Sequence, residues 1–240
     1  MKFDIDTIVI NLERRSDRRV EAEQELSRIG WSAKFFSAIE PKDAGGFPSI
    51  GARGCFLSHL AVLKNARAAG IDRLIILEDD IKFVPEFVKR WQSAVEALES
   101  KPWSIFYPGH ILDGLARGLS LLSPLTGVAC THFMMINGNA IPQLIEGLQT
   151  IMLRPPGHPL GGLMHVDGAY STIRRQNPAL ITYAYSPVLG YQRPSQNDVS
   201  NPKWFDRIGA LRPVISFLRK RKLRKLQAEW NEIETNLSSG

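Results

Sequence analysis

The sequence predicts an α/β protein built on a mostly parallel sheet with helices on both faces. Three observations carry this. Short β-branched and aliphatic runs, residues 7–10 and 74–77 among them, read as buried strands. Segments with apolar residues at steps of three and four alternate with those runs. Glycines and polar turns separate the two kinds of segment, and no stretch repeats. Strands alternating with helices bury both faces of a sheet only in a layered arrangement.

Taken in order, residues 7–10 form a first strand that ends at Asn11. The charged segment 13–27 follows, with Val20, Glu23, Leu26 and Ile29 near helical spacing and Gly30 as the stop. Residues 34–38, ending in Ala38, read as a second strand. Residues 41–54 carry four glycines and two prolines and read as loop. Residues 55–69 then form a helix with Phe56, Leu60, Leu63 and Ala66 on one face, closed by Gly70. Residues 73–77 make an apolar strand that runs directly into Glu78-Asp79-Asp80. An amphipathic helix over 85–98, a strand over 103–107, a further strand over 128–136 and a helix over 140–148 complete the alternation. Residues 154–162 are loop, 166–175 restart helical patterning, and 191–203 are a polar loop before the tail.

Composition narrows the function. The chain has 240 residues and a net charge of +6. Six of its basic residues lie in Arg219-Lys220-Arg221-Lys222-Leu223-Arg224-Lys225, and the remaining 24 balance the 24 acidic ones. The basicity therefore belongs to the tail, and no basic folded face points to nucleic acid. Leu223, Leu226, Trp230, Ile233 and Leu237 recur at helical steps there. The expected division is a domain over 1–205 and a basic amphipathic helix within 206–240, suited to an anionic membrane surface, to packing on the domain or to a second subunit. Two distant cysteines, Cys55 and Cys130, exclude a disulfide framework and a cysteine-rich zinc site. Acids at positions 4 and 6, and no apolar run of about 20 residues, lead to the expectation of a cytoplasmic protein, peripheral on the inner membrane through its tail.

Three constellations carry chemistry. Glu78, Asp79 and Asp80 cluster at a strand end, where open α/β sheets bind ligands. Their mutual repulsion suits a hard divalent ion bridged to phosphate oxygens; a solvated turn is the plainer reading. Asn11 is followed by Arg14, Arg15, Arg18 and Arg19, planar forks that match phosphate; a solvated helix face is the plainer reading. Gly54-Cys55-Phe56-Leu57-Ser58-His59 offers a glycine, a helix start and two polar side chains to an anion. Ser58 and His59 are not a catalytic dyad, because neighbours on a helix diverge by about 100°.

These three motifs, in this order and spacing, resemble those of glycosyltransferase family 25. Asn11-Leu12 with Arg14, Arg15 and Arg18 is similar to its opening motif. Gly54-Cys55 with Ser58-His59 is similar to its second, and Leu77-Glu78-Asp79-Asp80 to its third, a variant of the DxD signature. Weaker similarity runs on to about residue 200, through His165-Val166-Asp167 and Gln192. The resemblance implies a GT-A-like, Rossmann-like fold and an inverting transfer of a hexose, most often galactose. The donor would be a UDP-sugar, and the acceptor a cell-surface glycan or glycolipid such as lipopolysaccharide.

It also implies roles. Asn11, Arg14, Arg15, Arg18, Ala38, Ser58, His59, Asp79 and Gln192 would bind the donor. Glu78, Asp80 and His165 would hold Mn²⁺ or Mg²⁺. Asp167 is the candidate base for the acceptor hydroxyl, and, ahead of a helical stretch, it equally fits an N-cap. Two other readings use the same architecture: a metal-dependent nucleotidyltransferase, and a non-catalytic nucleotide-sugar-binding module.

Overall fold

Alternation within each strand fixes the architecture. In the computed structural model, which describes residues 5–193, odd and even positions of the central strands feed two separate cores. The strands are β1 (Asp6–Asn11), β2 (Lys34–Ser37), β3 (Arg73–Glu78), β4 (Ile81–Phe83), β5 (Ile105–Tyr107), β6 (Gly118–Leu122), β7 (Phe133–Asn137), β8 (Thr182–Ser186) and β9 (Gly190–Gln192). The helices are α1 (Ser16–Arg28), α2 (Ile50–Ala68), α3 (Phe87–Glu99), α4 (Ile141–Met152) and α5 (Val166–Gln176). Ile8, Ile10, Leu74, Ile76, Ile105, Tyr107, Met134 and Ile136 meet α2, α4 and α5 on one face. Val9, Ile75, Leu77, Phe106, Phe133 and Met135 meet α1 and α3 on the other. Period-two side chains on strands buried on both sides produce this split.

The main sheet has the order β2-β1-β3-β7-β5-β8-β6. Five of its strands share one direction, and β7 and β6 oppose them. The sheet is thus mixed and mostly parallel, with helices on both faces. β4 and β9 form a separate antiparallel ribbon, pairing Ile81 with Gln192. Trp31, just past α1, packs edge-on against Phe87 and Trp91 at 5.0 Å each, closing the second core.

Several boundaries differ from the sequence expectation. α2 starts at Ile50, not Cys55, because the Ser49 side chain caps it by accepting the Ala52 N–H at 3.0 Å. Leu26 and Ile29 turn inward as expected, but Val20 is exposed and Ala22 joins the inner face of α1 in its place. The strand expected over 128–136 is only β7, and it runs antiparallel to β3. Tyr191 and Gln192 belong to β9 rather than to a loop. β4, β6 and β8 are strands that the sequence pattern does not predict. The boundary at 205/206, the rest of the polar loop and the basic tail lie outside the described residues. Among the described residues, no helix is long and apolar enough to cross a membrane.

One buried side chain ties the far half together. Arg174, on α5, is 1% exposed. Its Nε donates to Thr182 Oγ1 at 2.9 Å, Nη1 to the Thr126 carbonyl at 2.8 Å and Nη2 to the Ser123 carbonyl at 3.0 Å. Replacing it by methionine leaves three acceptors without their donor. Arg174→Met is expected to cost about 3 kcal/mol, read as a lower urea midpoint at unchanged slope. A loss below about 1 kcal/mol would show that water replaces the guanidinium there.

Candidate active site at the carboxyl end of strand β3

β3 ends at Glu78, and the chain turns through Asp79 and Asp80 before entering β4. The three acids have different surroundings. Asp79 is buried and fully paired: Asn11 Nδ2 donates to Oδ2 at 2.8 Å, and Arg18 Nη1 to Oδ1 at 3.0 Å. Glu78 takes the Thr131 hydroxyl on Oε1 at 3.1 Å and the Gln192 amide on Oε2 at 3.1 Å. Asp80 Oδ2 has a 3.8 Å ion pair to Arg18, with Gln192 and Arg193 also nearby, and its Oδ1 is buried with no hydrogen-bond partner.

The electrostatics follow from this crowding. Burial, then the neighbouring Asp80, raises the Glu78 carboxyl to about 8. Asp80 is also raised, by burial first and by Asp79, with Arg18 opposing. Two carboxylates are held together here, one with an orphaned oxygen, and Arg18 and Arg193 do not offset their repulsion and burial. Oxygen ligands of this kind fit Mg²⁺ or Mn²⁺. The donor set of Glu78 and Asp80 therefore suits a hard divalent ion. Asp79 instead anchors Arg18 and Asn11.

The second motif acts differently from its expected anion cradle. Gly54 lies inside α2, so its N–H does not open a helix terminus. A Cβ on Gly54 would stand 2.6 Å from the Ile39 carbonyl, so this close approach requires glycine. One turn on, Ser58 Oγ accepts the Ile39 N–H at 2.8 Å and donates to the Gly54 carbonyl at 2.7 Å. The motif clamps the chain just after β2, where the Ala38 N–H donates to the Asn11 carbonyl at 2.8 Å. His59 is fully buried, paired to the Tyr170 hydroxyl at 3.3 Å through Nδ1. Its pKa falls to about 4 by burial, so it is neutral near pH 7.

Asn11, Arg18, Ala38, Ser58, Asp79 and Gln192 thus belong to one connected network around the acids. Arg14 and Arg15 do not join it. Arg14 pairs with Glu40 on the exposed surface at 2.7 Å, and Arg15 with Asp17 at 2.7 Å. His165 is exposed at the N-cap position of α5 and makes no capping hydrogen bond through its side chain. Asp167 is consequently not the N-cap; it lies in the first turn of α5. Its Oδ2 accepts the Cys130 N–H at 3.3 Å, and its Oδ1 the Gly168 N–H at 2.7 Å. Its charge is among those that raise Glu78. Among the described residues, Cys55, His59 and Glu78 each bring one ligand-type atom within 4.8 Å of the others.

Two further contributors, Thr131 and Arg193, were not among the expected site residues. Thr131 reaches Glu78 only because β7 runs antiparallel beside β3. Arg193 holds the acidic turn: its N–H donates to the Asp80 carbonyl at 2.8 Å, Nη2 to the Asp79 carbonyl at 2.9 Å and Nη1 to Glu21 at 2.5 Å. Its place directly after Gln192 is the one hint the sequence offers.

Comparison with known proteins bears on the second and third motifs. The profile of glycosyltransferase family 25 (LPS biosynthesis protein) matches residues 48–110. Procollagen galactosyltransferase 1 of Danio rerio is 27% identical over 133 residues, covering 46% of this chain and 22% of the relative. The Homo sapiens protein named inactive glycosyltransferase 25 family member 3 is 28% identical over 128 residues, covering 44% and 22%. The chain thus spans about a fifth to a quarter of the length of the curated relatives it matches. Among solved structures, a glycosyltransferase involved in glycosylation of the PBCV-1 major capsid aligns with a TM-score of 0.41 and 11% identity. That alignment covers 82% of this chain and 95% of the other. The profile match lies across the second and third motifs, so over residues 48–110, about a quarter of its length, this chain is similar to glycosyltransferase family 25.

Proposed function

We propose that the chain is a metal-dependent, inverting hexosyltransferase that moves galactose from UDP-galactose to a cell-surface glycan such as lipopolysaccharide. The observation that carries the reading is the buried, unpartnered Asp80 oxygen beside a protonation-prone Glu78 at the end of a central strand. Glu78 and Asp80 would hold Mn²⁺ or Mg²⁺, with His165 as a further ligand. When bound, the ion supplies Lewis-acid neutralisation of the departing diphosphate.

The chain's own residues do the rest. Arg18, fixed on Asp79, keeps a guanidinium beside the phosphate position. Asn11, Ala38 and the Ser58 clamp shape the adjoining donor wall, and Gln192 on β9 covers Glu78. Asp167 accepts the proton of the acceptor hydroxyl as that oxygen attacks the anomeric carbon from the face opposite the leaving UDP. The basic tail is assigned to the anionic membrane surface on which a lipid-linked acceptor would stand.

Incubation with UDP-galactose and an acceptor panel, with UDP release and product mass as readouts, tests this. Mn²⁺-dependent UDP release with a mass gain of one hexose is expected. Full turnover in excess chelator would overturn the metal assignment. Release of pyrophosphate from a nucleoside triphosphate would point to the nucleotidyltransferase reading. Donor binding without any product would support a binding module, a reading favoured by the relatives that are named inactive.

A further inference from the structure

Two side chains beside the acids take no role in the transfer as proposed above: Cys55 and His59. They lie four residues apart on α2 and so share a helix face. With Glu78 at the end of β3 they place three ligand-type atoms within 4.8 Å of one another. His59 is wholly buried, its Nδ1 engages Tyr170, and its Nε2 has no partner. With the Nδ1–H given to the Tyr170 oxygen, Nε2 presents a lone pair. One anchored and one free nitrogen is the arrangement of a metal-ligating imidazole. His59 is buried, whereas Cys55 and Glu78 are half-buried as residues.

We propose that Cys55, His59 and Glu78 form a second cation site, selective for a borderline-soft ion such as Zn²⁺. Its occupancy withdraws Glu78 from the hard divalent ion and arrests transfer. The binding part stands on the cluster alone; the inhibitory part rests on the transferase reading given above.

Ligand chemistry sets the selectivity. Thiolate and imidazole favour Zn²⁺, whereas Mg²⁺ and Mn²⁺ favour oxygen. Zinc bonds of about 2.0–2.3 Å in a tetrahedron put ligand atoms roughly 3.3–3.8 Å apart, so the cluster closes by roughly 1 Å. Water fills the fourth position. Burial and the charges of Glu78, Asp80 and Asp167 keep the free Cys55 thiol protonated. On binding, the Cys55 S–H bond breaks, the sulfur pair is donated to the ion, and that proton, with any proton held on Glu78, goes to solvent. The plainer account, a packed histidine beside an inert thiol, leaves Nε2 unexplained.

The test titrates Co²⁺ into the metal-free full chain as a spectroscopic probe. A thiolate-to-cobalt charge-transfer band at one ion per chain is expected, displaced by Zn²⁺ but not by excess Mg²⁺. Cys55→Ser should lose the band and weaken Zn²⁺ binding by at least about tenfold, while Cys130→Ser keeps both. His59→Gln opens a buried contact and could unfold the chain, so the conservative cysteine variant carries the test. In assays saturated with Mn²⁺, Zn²⁺ should inhibit the wild type, and Cys55→Ser should keep basal turnover with at least about tenfold lower sensitivity. A missing band, or one unchanged in Cys55→Ser, overturns the site. A Cys55-dependent band without inhibition overturns the regulatory part alone. A Cys55-dependent band in a chain with no turnover upholds the site and counts against the transferase reading.

Discussion

Asp80→Asn is expected to lower sugar transfer by about 10³-fold, roughly 4 kcal/mol of transition-state stabilisation. The structure makes Asp80 the sharpest choice among the three acids. Asp79 spends both oxygens on Asn11 and Arg18, and Glu78 both of its own on Thr131 and Gln192. Asp80 alone keeps a buried oxygen free. The same substitution should leave the metal-free fold no less stable near neutral pH.

The sign of that effect follows from the raised carboxyls of Glu78 and Asp80. Between the ordinary carboxylate range and about 8, the folded chain holds protons at Glu78 that the unfolded chain has released. Stability therefore falls as pH rises through that window. Removing the Asp80 charge removes part of the repulsion and flattens the fall. Thermal melts at pH 5 and pH 8 in chelator, repeated with Mn²⁺, read both effects. Mn²⁺ should raise the melting temperature of the wild type and not of the variant. An Asp80→Asn protein that retains more than about a tenth of wild-type turnover would remove Asp80 from the metal site.

Asp167→Asn is expected to lower turnover by about 10²–10⁴-fold while leaving donor affinity unchanged. The amide cannot take a proton from an acceptor hydroxyl, but it retains one oxygen for the Cys130 or Gly168 N–H. Asp167 also steadies the segment that delivers Thr131 to Glu78, so a structural role must be separable from a chemical one. Calorimetric titration of UDP with Mn²⁺ separates them. Unchanged UDP affinity with lost turnover assigns the base. Weakened UDP binding together with a lowered melting temperature would make Asp167 a positioning residue. An active variant would retire it from the chemistry.

The elements with strong periodicity were legible in the sequence. The run from Leu74 to Leu77 into three acids is β3 and its turn, and Phe56, Leu60, Leu63 and Ala66 are the inner face of α2. The short strands β4, β6, β8 and β9 were not, because three to five residues hold no period that stands out from loop. Their partners, not their own patterns, make them strands. The start of α2 was hidden for a related reason. Gly51 and Gly54 read as loop, and only the Ile39 carbonyl pressed against Gly54 explains a glycine inside a helix.

At the site, the sequence alone determined which chemistry is present: a carboxylate cluster at a strand end, arginines after the first strand, and a Gly-Cys-x-x-Ser-His segment in the right order. Composition and local spacing are carried by neighbours along the chain, so they survive without a fold. Division of labour is set by neighbours in space. The tertiary structure decided that Arg18 turns to the acids while Arg14 pairs with Glu40 and Arg15 with Asp17, and that Ser58 clamps a backbone. It also decided that Asp79 is saturated while Asp80 keeps a free oxygen. Those outcomes depend on residues brought together across the sheet, Asn11 to Asp79 and Glu78 to Gln192, which no spacing along the chain encodes.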